Sequence, residues 1–224
     1  MFKAFSKGIS QLNDGPTRKI LLLSIAISMV VFFALWSAVG FTLTNTSFFQ
    51  TGWLESAVDL LGGLATGLLT WFLFPGVVSA TVGLFLDRVA DCVEARHYPD
   101  LANADGQPFV AALFSSIRFL AMFVFLNVLM LPFLFLGPVF PFVFYSVNGY
   151  LLSREYFELV ALRRLNAQQA RSVRKAHQGQ LFMTGVVIAF LLTIPVVNLI
   201  TPVVATATMI HLFEKWRRTQ RQDG

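Results

Sequence analysis

Four long runs of the chain contain no Lys, Arg, Asp or Glu: 20–54, 60–86, 119–152 and 181–213. A helix of about 20 apolar residues spans the roughly 30 Å hydrocarbon core of a bilayer. In that solvent only helices and closed barrels satisfy their own backbone groups. The runs are continuous rather than alternating, so they specify helices. The whole chain is 56% hydrophobic and 13% charged, where soluble chains average about 25% charged. The expectation is an all-α integral membrane protein with the lipid bilayer as its first partner.

The four runs differ in kind. The first is one span long over Ile20 to Leu43 and is followed by the polar turn "TNTSFFQTGW". The second is also one span long, with a kink expected at Pro75-Gly76. The third carries Pro132, Pro138 and Pro141, and the fourth carries Pro195 and Pro202 with Asn198 between them. Proline removes a backbone donor and breaks a helix. In hydrocarbon each unmet group costs several kcal/mol.

Charge placement decides what the broken runs do, because Lys and Arg favour the cytoplasmic side. Lys3, Lys7, Arg18 and Lys19 precede the first run, and the turn after it has neither Lys nor Arg. Arg88, Arg96 and Arg118 lie between the second and third runs. A single crossing of the third run would strand Arg154, Arg163, Arg164, Arg171, Arg174 and Lys175 outside. A double crossing needs about 40 residues plus a turn. The remaining solution is a re-entrant hairpin. Arms 119–131 and 142–152 are roughly 20 Å long or less at 1.5 Å per residue, so they stop partway. The fourth run repeats the design with arms 181–194 and 203–213.

The expected layout is two full transmembrane helices, two re-entrant helical hairpins and amphipathic cytoplasmic helices, with both termini cytoplasmic. By residue it reads 1–13 interfacial helix, 15–43 span, 54–86 span and 87–117 cytoplasmic segment. Then come 118–152 hairpin, 153–180 basic helix, 181–213 hairpin and 214–224 tail. The first segment has Phe2, Phe5, Ile9 and Leu12 at helical spacing with Lys3 and Lys7 between them, a pattern that suits the membrane interface. It lacks the continuous apolar core of a cleavable signal.

One stretch has the chemistry of an anion site. In "DGPTRKI", Asp14 is placed to cap a helix and Gly15-Pro16 to open it. The first helical turn has free N–H groups and a partial positive charge, which favours an oxyanion. Arg18 adds a planar fork and Lys19 a second charge. Set against this are the negative charge of Asp14 and the commonness of basic residues at membrane interfaces. Arg118 stands at the start of the third run, either as an interfacial anchor or beside a pathway. Asn127, Asn148 and Asn198 lie within the hairpins, where they join helices, satisfy broken backbone or line a path. Glu55 and Asp59 share one face near the outer end of the second span, where solvation at the interface or a proton-coupling role accounts for them.

Other signals exclude function classes. Gly63-x-x-x-Gly67 specifies close helix packing. A single cysteine, Cys92, excludes an internal disulfide framework, and its apolar stripe with Val89 and Val93 reads as packing. No spacing suits a metal, a phosphate loop or a nucleophile with its base. No enzyme activity, cofactor or nucleic-acid partner is expected. No acid or base lies mid-membrane, which favours a passive path over a coupled pump.

The stretch "TIPVVNLITPVVATATMIHLFEKWR" resembles the C-terminal segment of the CysZ-like sulfate permeases, within the etoposide-induced-protein superfamily. "VGLFLDRVADCVEARHYP" and "NGYLLSREYFELVALRR" resemble two further segments of that family. The resemblance implies two long helices with two partly penetrating hairpins, an oligomer, and sulfate uptake for cysteine synthesis across a bacterial inner membrane. It places the anion site in a Gly-aliphatic-Arg-Arg motif before the first long helix. Here Gly15, Thr17, Arg18 and Lys19 answer to it, with Pro16 and Thr17 at the glycine and aliphatic positions. Arg118 and Asn198 are the further pathway candidates. The alternative is a structural or lipid-organising protein with wedge-like hairpins. Phe133, Phe135, Phe140, Phe142 and Phe144 favour it.

Overall fold

The computed structural model describes residues 2–45, 85–102, 104 and 109–222. The expected second span, its Gly63/Gly67 pair, the Pro75-Gly76 kink, Glu55 and Asp59 lie outside the described residues. Every element among the described residues is helical. Helix α1 (Phe2–Ser10) passes through a 3-10 turn (Gln11–Asn13) into α2 (Gly15–Asn45). Helix α3 (Leu86–His97) and α4 (Phe109–Met130) follow. A 3-10 segment (Leu131–Val139) leads into α5 (Phe140–Ala161), and α6 spans Ala167–Ala176. The chain then forms α7 (Gln178–Leu192), α8 (Pro195–Asn198) and α9 (Thr201–Gln222).

Two stretches, Gly15–Ala38 and Ala121–Ala161, are long and apolar enough to cross a membrane by length and composition. Only 12% and 6% of the residues in their most apolar windows are buried in the protein. A core helix of a soluble protein would be mostly covered, so these surfaces call for an apolar solvent. On α2 the covered stripe is small and polar. Thr17, Ser24 and Ser28 are fully buried. Ser24 and Ser28 donate back to the Ile20 and Ser24 carbonyls at 2.9 and 2.7 Å, so neither hydroxyl needs a partner from another helix.

The chain reverses at both proline-rich breaks. Gly137 has φ 51°, a left-handed value that glycine adopts without steric cost. Past it, α5 returns beside α4, and Arg154 Nη1 reaches Met122 Sδ at 3.0 Å. The second reversal runs through α8. It brings the His177 and Trp216 rings into a stack with centroids 4.2 Å apart.

The two reversals pack on each other through glycines. A Cβ added to Gly185 would lie 1.9 Å from the Gly149 carbonyl oxygen, and one added to Gly149 would lie 2.9 Å from the Val186 amide nitrogen. Helices α5 and α7 therefore touch backbone to backbone, the packing small residues permit between membrane helices.

The centre of the molecule is α9. Residues 201–214 are all buried, in keeping with a helix surrounded by others. Helix α1 packs on it at close range: a Cβ on Gly8 would lie 2.6 Å from Thr208 Oγ1 and 2.9 Å from the Val204 carbonyl. Of the apolar residues on α1 and its following turn, Phe5 and Leu12 lie against the core and Ile9 is exposed. Phe157, Phe213 and Trp216 form an aromatic group between α5 and α9.

Candidate functional site

The first turn of α2 carries the residues singled out in the sequence. Asp14 is extended, at φ −76° and ψ 129°, and its carbonyl accepts the Arg18 N–H at 2.8 Å. It is thus the residue at which the helix opens. Its side chain turns away from the helix start: Oδ1 pairs with Arg96 Nη1 at 2.6 Å and Oδ2 accepts from Gln11 Nε2 at 3.2 Å. Pro16 brings no N–H. The first-turn donors left over are the amides of Gly15 and Thr17.

Gly15, Arg18 and Lys19 are exposed, and Thr17 is buried. Among the described residues no carboxylate pairs with Arg18 or Lys19. By contrast Asp14, the acid beside them, is paired with Arg96 from α3. The local charge is therefore positive: Arg18, Lys19 and Arg96 against Asp14. The helix dipole adds to it.

The turn is held from behind by a buried polar group. Gln11 is fully buried, and its Nε2 donates to Thr17 Oγ1 at 3.1 Å as well as to Asp14. Gln11 Oε1 meets His97 Nε2 at 3.2 Å. The His97 ring stands edge-on to His211, with centroids 4.9 Å apart. His211 Nδ1 lies 2.8 Å from the Tyr98 hydroxyl. Burial holds the His97 pKa below its ordinary value, with Arg96 and Lys7 adding to the effect and Asp14 opposing it. Burial also raises the Cys92 thiol, helped by Asp14 and Asp91, so Cys92 is a neutral packing residue.

The other pathway candidates stand elsewhere. Arg118 is exposed on α4. Asn198 is half-buried at the end of α8, where its N–H donates to the Ile194 carbonyl at 2.8 Å. Asn127 and Asn148 bond back to their own helices, at the Phe123 and Phe144 carbonyls. Among the described residues no group of three or more His, Cys, Asp or Glu side chains is placed to hold a metal ion.

Sequence reasoning missed Gln11, Arg96 and the contact between His97 and His211. The only signal for Gln11 is a polar residue on the covered side of an amphipathic segment. Its partners Thr17 and His97 come from different helices, which no periodicity reveals.

A second polar joint fixes α3 in place. Asp87, Asp91 and Glu94 share one face of α3 at helical spacing. Arg163 pairs with all three, and Arg164 pairs with Glu94 and donates to the Ala102 carbonyl. This cluster ties α3 to the end of α5, and Arg96 and His97 tie α3 to the start of α2.

Helices alone among the described residues, long apolar stretches left uncovered by protein and a basic helix start beside them mark a helical membrane protein. Residues 4–202 match the family described as sulfate transporter CysZ/etoposide-induced protein 2.4, and the chain belongs to that family. A comparison with curated proteins finds no match.

Proposed function

We propose that the protein is an inner-membrane permease for sulfate or a related oxyanion, with Gly15, Thr17, Arg18 and Lys19 as the receiving site. Family membership supplies the substrate class. The observation that carries the site is the pairing of Asp14 with Arg96. It removes the one negative charge that argues against an anion there. A doubly charged oxyanion is costly to dehydrate, so it needs several donors at once. The first-turn amides, the Arg18 fork and the Lys19 ammonium supply them.

In this reading the two reversals are re-entrant hairpins whose tips stop inside the membrane, and both termini are cytoplasmic. Arg118 and Asn198 lie along the path. Flow is passive, and its product feeds cysteine synthesis. Short arms enclose little by themselves, so the working unit is a homo-oligomer.

The test is equilibrium sulfate binding to purified protein at low ionic strength, with chloride as control. Wild type is expected to bind saturably and Arg18→Ala/Lys19→Ala to lose binding. Absence of wild-type binding overturns the proposal. A wedge-like structural role has one observation in its favour: Phe135 is 92% exposed and Phe142 76% exposed at the first tip. Equal sulfate uptake by protein-containing and empty liposomes would favour that role.

A further inference from the structure

We infer that Gln11 is the positioning residue of the anion turn and that His97 acts through it. The inference rests on the sulfate-site reading above and extends it to residues outside the motif.

Donor and acceptor accounting fixes the geometry. The Asp14 carboxylate only accepts, and Gln11 offers it an atom at 3.2 Å. That atom must be the amide nitrogen. Its second proton goes to Thr17 Oγ1 at 3.1 Å. The carboxamide oxygen is thereby turned toward His97 Nε2 at 3.2 Å, so His97 must donate there. Turning the amide over would set its oxygen against the Asp14 carboxylate, two acceptors facing each other. Gln11 thus has all its donors committed, in a site closed to solvent.

The consequence is a rigid brace. Gln11 holds the residue that opens α2 and the third residue of its first turn. Thr17 is pinned backward by its hydroxyl, which leaves its amide, the Gly15 amide and the exposed Arg18 and Lys19 pointing as the turn dictates. His97 in turn is held by its edge contact with His211 and faces Lys7 from α1, Asp14 and Arg96. Tyr98, bonded to His211, faces Glu214 and Arg218 from α9. Anion affinity therefore depends on a side chain that never touches the anion.

The experiment measures sodium sulfate binding to detergent-purified full-length protein by titration calorimetry. Gln11→Leu is expected to raise the Kd about tenfold with an unchanged number of sites, the loss of roughly one well-placed charge-assisted hydrogen bond. His97→Leu is expected to weaken binding similarly, and His97→Gln, which keeps a donor, to restore most of it. Gln11→Leu/His97→Leu is expected to bind no more weakly than Gln11→Leu, because His97 acts through its hydrogen bond to Gln11.

Wild type that fails to bind sulfate overturns this inference together with the site reading. Wild type that binds, with Gln11→Leu within twofold of it, overturns this inference alone. So does an additive double variant. A fall in the number of sites at constant Kd marks misfolding. If Gln11→Leu does not fold, the His97→Leu and His97→Gln pair decides: equal Kd values for the two overturn it.

Discussion

His97 shows how a single side chain records its surroundings. Burial, then Arg96 and Lys7, lowers its pKa, so the folded protein keeps it neutral where the unfolded chain takes up a proton near 6.5. The stability it contributes is present above that pH and is lost as pH falls toward the lowered folded value. The unfolding temperature in detergent is expected to drop between about pH 7.5 and 5.5, and less steeply for His97→Gln. Equal slopes would show that His97 carries no such linkage. At this scale the sequence displayed the basic pair Arg18 and Lys19 plainly, because charges beside an apolar run are conspicuous. It hid the side chains that orient them. Gln11 meets His97 across 86 positions, and a contact so distant leaves no local trace.

Elements were legible where backbone chemistry is strict. Proline clusters located both breaks, and a glycine with positive φ sits at the first. Helix ends were less legible, because charges on a helix face do not stop a helix. Helix α5 continues to Ala161, supported by the Arg154–Glu158 pair one turn apart at 2.7 Å. The basic stretch after it divides at Asn166, which caps α6 with Gln169 in a reciprocal box. Asn166→Ala is expected to cost about 1 kcal/mol, read as a lowered unfolding temperature. The sharper test is the α5–α7 crossing. Gly185→Ala forces a methyl onto the Gly149 carbonyl, and overpacking of this kind costs about 1–3 kcal/mol or more. An unchanged unfolding temperature would mean that the helices do not approach so closely.

In the whole molecule the largest surprise is the last helix. Its apolar half reads in sequence as one arm of a hairpin and its charged half as a soluble tail. In the fold the core runs on past the apolar half: Glu214 and Trp216 are buried, Trp216 stacks on His177, and Lys215, Arg218 and Thr219 are exposed. The charges mislead because Arg217 neutralises Glu214 at 3.3 Å and Arg218 lies over the Tyr98 ring. Trp216→Ala is expected to cost about 3 kcal/mol or more, and a chain ended after Phe213 to lose thermal stability. A truncated chain that melts with the wild type would place the core elsewhere.

The contact of Gly8 with Thr208 joins positions 200 residues apart, and this has a consequence for synthesis. A ribosome adds roughly 5–20 residues per second, so α1 waits ten seconds or more for the surface that covers it. Until α9 emerges, the first helix lacks its main packing surface among the described residues. Assembly of the core thus waits for the last helix, and a message cut short near its 3′ end is expected to yield a chain without a folded core.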